Sequence, residues 1–228
     1  MVKPLFITPR VLTETIFTQY GGNADGATAA QLAAAFVISE QWMDEELGTF
    51  IVPAFVTATF AINPTSSAFM MPQGKVISVN GVWFIDRTEQ CDCSIGSVEG
   101  CALIVNEEIG LIDVQRLIGI CPSCSCCQVP FKVQIAYQAG LPTGTAAHPA
   151  ILQGLTIGAQ IALEQVIDPG AAEGGAGDPG VQSWSSMRYA ERRTSLGRTS
   201  FGESPRANFI HRLVKNWVVH RVGKIGNI

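Results

Sequence analysis

Val133-Gln-Ile-Ala-Tyr137-Gln-Ala-Gly140-Leu-Pro142 is followed by Pro149-Ala-Ile-Leu-Gln-Gly-Leu-Thr-Ile-Gly-Ala-Gln-Ile-Ala-Leu-Glu-Gln-Val-Ile167, and between the two the hydrophobic period changes. Phe131, Val133, Ile135 and Tyr137 alternate with Lys132, Gln134 and Ala136, the period-two pattern of a half-buried strand. Gly140-Leu141-Pro142 closes that strand. Pro149 suits the first turn of a helix, where its missing N–H costs nothing. The helix to Ile167 is apolar on nearly every side, so it is expected at the centre of a helical layer.

Upstream the same change of period appears in reverse. Thr28-Ala-Ala-Gln31 has the form of a capping box, and Leu32, Phe36, Met43 and Leu47 recur at helical spacing. Gln31, Glu40, Asp44 and Glu45 are left for the outer face, and Gly48 is the expected stop. Val11 to Tyr20 predicts a short helix ended by Gly21-Gly22. Residues 51–62 turn β-branched and aromatic, with Pro53 placing the start of a strand near a sheet edge. Val76 to Ile85 carries Asn80-Gly81 at its middle, which predicts a hairpin with a type I′ turn. Short strands are expected at 102–105 and 111–114.

Asp168 to Gly180 is a Gly/Pro-rich run with almost no side chains for a core, which predicts a linker. Beyond it the chain is polar and basic until Ser204-Pro205 caps a last helix. That helix sets Phe209, Ile210, Leu213, Val214 and Trp217 on one side, with Arg206, Arg212 and Lys215 elsewhere. The expected class is α+β: a helical layer with an inserted β-hairpin or β-subdomain at about 50–137, and an extended C-terminal arm ending in a helix. The domains follow as a body over 1–167, a linker over 168–180 and a basic docking arm over 181–228.

Charged residues make up only 15% of the chain, hydrophobic ones 47%, and mean hydropathy is +0.25. That is low charge for a soluble domain. No run of 18 apolar residues is free of charges or Pro/Gly interruptions, which disfavours a spanning helix, so a subunit covered by neighbours is expected. The start, Met1-Val2-Lys3-Pro4, shows no secretory apolar region, and a reducing cytosol is the expected place of maturation. Residues 181–228 hold nine Lys+Arg against two Asp+Glu, a balance of +7. The first 180 hold six against 17, a balance of −11. An acidic body with a basic tail can dock on another copy, on a different acidic protein or on nucleic acid.

Enzyme signatures are missing. There is no P-loop, nucleophile elbow or paired-His zinc motif, and the glycines of 174–177 do not join a strand to a helix. His148, His211 and His220 are far apart in sequence, and none has an evident nucleophile beside it. No catalytic or cofactor residue is expected. The cysteines fall in two groups: Cys91, Cys93 and Cys101, then Cys121, Cys124, Cys126 and Cys127. Their spacing leaves structural zinc, disulfides and reduced thiols open, so no metal ligand is assigned. In the tail, Arg188, Arg192, Arg193 and Arg198 are interleaved with Trp184, Tyr189 and Phe201. Arginine beside aromatics suits single-stranded nucleic acid, but it is also the make-up of protein-interface hot spots, and the second reading is preferred.

The order of these elements resembles the head–tail connector (adaptor) proteins of tailed double-stranded DNA bacteriophages. Tyr137, Ala139, Gly140 and Pro142 match a Tyr-x-Ala-Gly-x-Pro phrase that ends a strand in that family. Pro149, Ile151, Leu152 and Leu155 match the start of its following helix, and Val76 to Asp86 resembles its hairpin. The likeness spans about residues 10–167. The two cysteine-bearing stretches lie outside the family pattern, and the basic tail is longer than in its smallest members. The resemblance implies a virion protein, assembled in the host cytoplasm, that forms a ring of usually twelve copies beneath the portal. Such a ring joins capsid to tail or neck and extends the DNA channel without sequence-specific binding. It also implies that the C-terminal arm embeds in the portal, and the residues expected to contact the portal or a neighbouring subunit are Trp184, Arg188, Tyr189, Arg192, Arg193, Arg198, Phe201, Arg206 and Arg212. The competing expectations are another neck or tail-completion protein, or a Cys-rich metal- or nucleic-acid-binding module.

Overall fold

A computed structural model describes residues 6–61, 67–85, 93–94, 103–114, 132–167 and 205–220. Their helices are α1 (Glu14–Gln19), α2 (Ala29–Leu47), α3 (Pro149–Ile167) and α4 (Pro205–Val214), with a short 3-10 turn at Thr145–Ala147. Their strands are β1 (Ala54–Ala61), β2 (Ala68–Met70), β3 (Val76–Ile85), β4 (Cys93–Ser94), β5 (Ile104–Asn106), β6 (Leu111–Asp113) and β7 (Lys132–Ala139). The class is α+β, as expected. The described residues of 6–47 and 143–218 make a helical unit, and those of 48–142 with 219–220 make a β unit.

In the helical unit, α2 starts as the sequence predicts. The Gln31 side-chain oxygen accepts the Thr28 N–H at 2.8 Å, and the Gln31 N–H reaches the Thr28 hydroxyl at 3.3 Å. Its end is followed by Gly48 at a left-handed φ of 68°. The short helix α1 is capped by Thr13, whose hydroxyl accepts the Ile16 N–H, and it sets Phe17 against Phe36 with ring centroids 5.2 Å apart. The central position of α3 is explained by its small residues. A Cβ at Gly154 would lie 3.0 Å from the Met43 methyl and 3.4 Å from Ile210, so α2 and α4 approach α3 at the point where it has no side chain. Beside it the Ser39 hydroxyl donates to the Leu155 carbonyl at 2.7 Å, satisfying a buried polar group.

Two expectations fail in this unit. Glu40 was expected on the outer face of α2, yet it is only 1% exposed. Its carboxylate accepts the backbone N–H groups of Arg10, Val11 and Leu12 at 2.8, 2.7 and 2.8 Å, and the Arg10 guanidinium bridges Glu40 and Asp44. Burial is tolerated because the charge is both paired and hydrogen-bonded. Phe209 was expected on the buried side of α4, but it is 45% exposed. Ala207, Ile210 and Val214 do the packing instead.

The β unit holds two antiparallel sheets, ordered β1-β7-β3-β4 and β2-β6-β5. In β7 the alternation is as expected, with Val133, Ile135, Tyr137 and Ala139 fully buried. The buried Tyr137 hydroxyl donates to the Gln73 side-chain oxygen at 2.6 Å. Phe60 of β1 meets Phe69 of β2 at 5.1 Å. β5 and β6 form the expected strand pair, and their turn holds the start of β3. Glu108 and Glu107 accept the Lys75 and Val76 N–H groups, and Lys75 Nζ reaches the Glu108 carboxylate at 2.7 Å.

The hairpin expected at Asn80-Gly81 does not form. Val76–Ile85 is one strand, paired along its length with β7, and its register slips once between Val76 and Ser78 and again between Val79 and Gly81. Asn80 is therefore the extra residue of a bulge. Gly81 is required there by packing, since a Cβ would lie 2.5 Å from the Trp83 ring. Pairing with a full-length distant strand supplies more ladder than a four-residue hairpin arm could.

Candidate assembly surface

The four-stranded sheet has one buried and one open face. On β1 the side chains of Val56 and Ala58 are buried, while Phe55, Thr57 and Thr59 alternate onto the other side. The register sets Phe55 level with Gln138 and Ser78, Thr57 with Ala136 and Gly81, and Thr59 with Gln134 and Trp83. None of these residues is ionisable, and among the described residues the charge on this face is the exposed Lys132, level with Ala61 at the end of β1. Phe55 is 67% exposed, in rows that also hold threonine, glutamine, serine, alanine, Gly81 and a second aromatic, Trp83. Low charge with an aromatic at one end is the composition of a protein contact rather than of a polyanion site, which needs cations.

The basic residues are placed elsewhere. Arg206 on α4 donates to both Glu164 carboxylate oxygens, at 3.0 and 3.1 Å. Its side chain is 57% exposed and that of Glu164 52% exposed, so solvent screens the pair and its stabilising effect is small. Arg212 is exposed on the same helix. Trp184, Arg188, Tyr189, Arg192, Arg193, Arg198 and Phe201 lie outside the described residues. So do Cys91, Cys101, Cys121, Cys124, Cys126 and Cys127, and of Cys93 only the backbone in β4 is described. Among the described residues no group of three His, Cys, Asp or Glu is placed to hold a metal, and no helix is long and apolar enough to cross a membrane.

The histidines have local partners. His148 Nδ1 accepts the Ala150 N–H at the start of α3, and its ring lies 4.8 Å from that of Trp217. His211 Nδ1 contacts the Glu46 carboxylate. His220 is exposed.

Sequence reasoning passed over β1 as a surface because its alternation is a strand signal of the ordinary kind. The available sign was the run Ala54 to Ala61 itself, which follows an edge-marking proline and contains no charge.

No family model matches the chain, and no curated protein matches it. Among solved structures the fold is similar to that of a chain in the neck of an empty GTA particle, a phage-like gene transfer agent, in a structure computed with C6 symmetry. The TM-score is 0.53 at 14% sequence identity, over 97% of this chain and 95% of that one.

Proposed function

We propose that the protein is a structural subunit of a phage-type neck, forming a homo-oligomeric ring beneath the portal that joins capsid to tail and extends the DNA channel. The observation that carries this reading is the fold likeness to a neck chain over nearly the whole of both chains, at 14% identity. The low charge of the sheet's outer face, where Phe55 to Thr59 and their register partners carry none, and the exposed Phe55 fit a subunit that is covered by neighbours. The net negative balance of residues 1–180 fits a channel that repels phosphates and lets DNA slide.

In this reading the protein works by assembly, with no catalytic step and no cofactor. The basic stretch from Trp184 to Phe201, with the exposed Arg206 and Arg212, is the contact with the portal, and it makes that contact by arginine and aromatic anchors. A ring of twelve copies is the expected stoichiometry. The test is the mass and symmetry of the assembled particle, read by native mass spectrometry and averaged electron images with and without a portal ring. A closed ring that stacks on the portal is the expected result. A stable monomer that ignores the portal would overturn the proposal.

A further inference from the structure

β1 is an edge strand. Among the described residues it pairs on one side only, with β7, in eight consecutive residue pairs without a bulge. Ala54 to Ala61 contains no charge and no proline. Edge strands present a row of open N–H and C=O groups, and natural sheets blunt them with lysine, proline or bulges. In this same sheet β3 carries two bulges and runs alongside β4 at Trp83 and Phe84. β1 has no such device. A long, regular, uncharged edge is a template for another strand.

The identity of that strand follows from the sequence of β1. In Phe55-Val-Thr-Ala58-Thr-Phe-Ala61 the two threonines are symmetric about Ala58, and every residue outside them is apolar. We propose that β1 pairs antiparallel with β1 of a second copy, about a two-fold axis at Ala58. Ala58 then faces Ala58 of the partner subunit, and Thr57 faces Thr59 of the partner subunit. Val56 faces Phe60 of the partner subunit, and Phe55 faces Ala61 of the partner subunit. Directly opposed residues share a sheet face, so large apolar side chains meet on the face that buries Val56 and Ala58, and threonines meet on the open one. An even register of this kind is what a two-fold, self-complementary contact requires.

The pairing does not depend on the neck reading. If the chain also builds a polar ring, whose neighbours are related head to tail, the pair is the form that precedes the ring, and that clause alone rests on the proposed function.

The test is sedimentation velocity of the full chain over the micromolar range. The wild type is expected to sediment as a pair. Thr57→Lys/Thr59→Lys sets like charges opposite one another and is expected to give a monomer with unchanged circular dichroism. Mixing it with Thr57→Glu/Thr59→Glu is expected to restore the pair. Phe55→Glu, at an exposed aromatic of the strand, is a second variant expected to weaken pairing at least tenfold. A wild type that stays monomeric overturns the proposal, as does a lysine variant that pairs like the wild type. So does a monomeric wild type whose binding to a neck protein is abolished by the lysines, which would assign the edge to another protein. Ring formation on a portal is scored separately. Rings without a pair in solution overturn the pairing and leave the neck reading standing, and a pair without rings does the reverse.

Discussion

The Glu40 carboxylate accepts the Leu12 N–H at 2.8 Å across 28 residues of chain, from a position where it is almost wholly buried. The same carboxylate takes the N–H groups of Arg10 and Val11 and the Arg10 Nε, while Asp44 takes Nη2 and the Phe6 ring lies 3.9 Å from the guanidinium carbon. One side chain of α2 thus fixes the approach to α1 by satisfying three successive backbone donors.

Glu40→Gln keeps the size of the side chain but removes its charge and turns one acceptor into a donor that faces N–H groups. The part-buried Arg10 loses one of its two counter-charges and keeps Asp44 at 2.7 Å. Losing charge-assisted bonds in a buried setting costs about 2–4 kcal/mol. Urea unfolding is expected to show an unfolding free energy lower by that amount, and so a lower midpoint, with faster proteolysis before Thr13. An unchanged midpoint would show that the cluster contributes no net stability.

Gly81→Ala tests the bulge in β3. Its Cβ would meet the Trp83 ring at 2.5 Å, well inside contact distance. The ring or the strand must shift, at a cost of about 1–3 kcal/mol. Asn80→Ala, at the exposed bulged position, is expected to change stability by less than about 0.5 kcal/mol. If Asn80-Gly81 were a type I′ turn, both residues would need a positive φ and Asn80→Ala would be costly as well, so a near-neutral Asn80→Ala beside a costly Gly81→Ala separates strand from hairpin.

The same pair of residues marks the limit of what the sequence discloses. The elements whose signal is local were legible: the Thr28–Gln31 cap, the alternation of β7, the apolar helix from Pro149 and the αL stop at Gly48. Asn80-Gly81 was misread because a turn and a bulge both favour these residue types, and only the distant partner β7 decides between them. Glu40 was misread because helical periodicity assigns a carboxylate to solvent unless its donors are known, and those donors are backbone N–H groups that no side-chain pattern encodes. Of the candidate site, the residue types of the basic tail were visible in the sequence. The exposed edge of β1 was not, because edge or centre is a property of sheet order.

Tyr137→Phe removes one partner of the buried bond to Gln73 and leaves the Gln73 oxygen unsatisfied. The expected loss is about 1–3 kcal/mol. Adding Gln73→Met removes the orphaned acceptor as well, so the double variant is expected to recover part of that loss. Thermal denaturation of the four proteins in this cycle measures the coupling, and strictly additive effects would mean that the bond contributes nothing.

Within residues 181–228, α4 packs into the helical unit. Ala207, Ile210 and Val214 of α4 are fully buried in the helical unit, and Ile210 and Val214 lie over the side-chain-free surface of Gly154. Burying two such aliphatic side chains stabilises by about 1.5–3 kcal/mol each. A chain stopped after Ser204 is therefore expected to expose an apolar stripe of α3, to unfold at lower denaturant and to bind a hydrophobic dye. Deleting only 184–201 removes the arginine–aromatic stretch and spares α4, so the unfolding free energy is expected to stay within about 0.5 kcal/mol of the full chain while portal attachment is lost. Equal stability of the two deletions would mean that α4 adds nothing to the fold, and portal attachment retained by the shorter deletion would remove Trp184 to Phe201 from the docking contact.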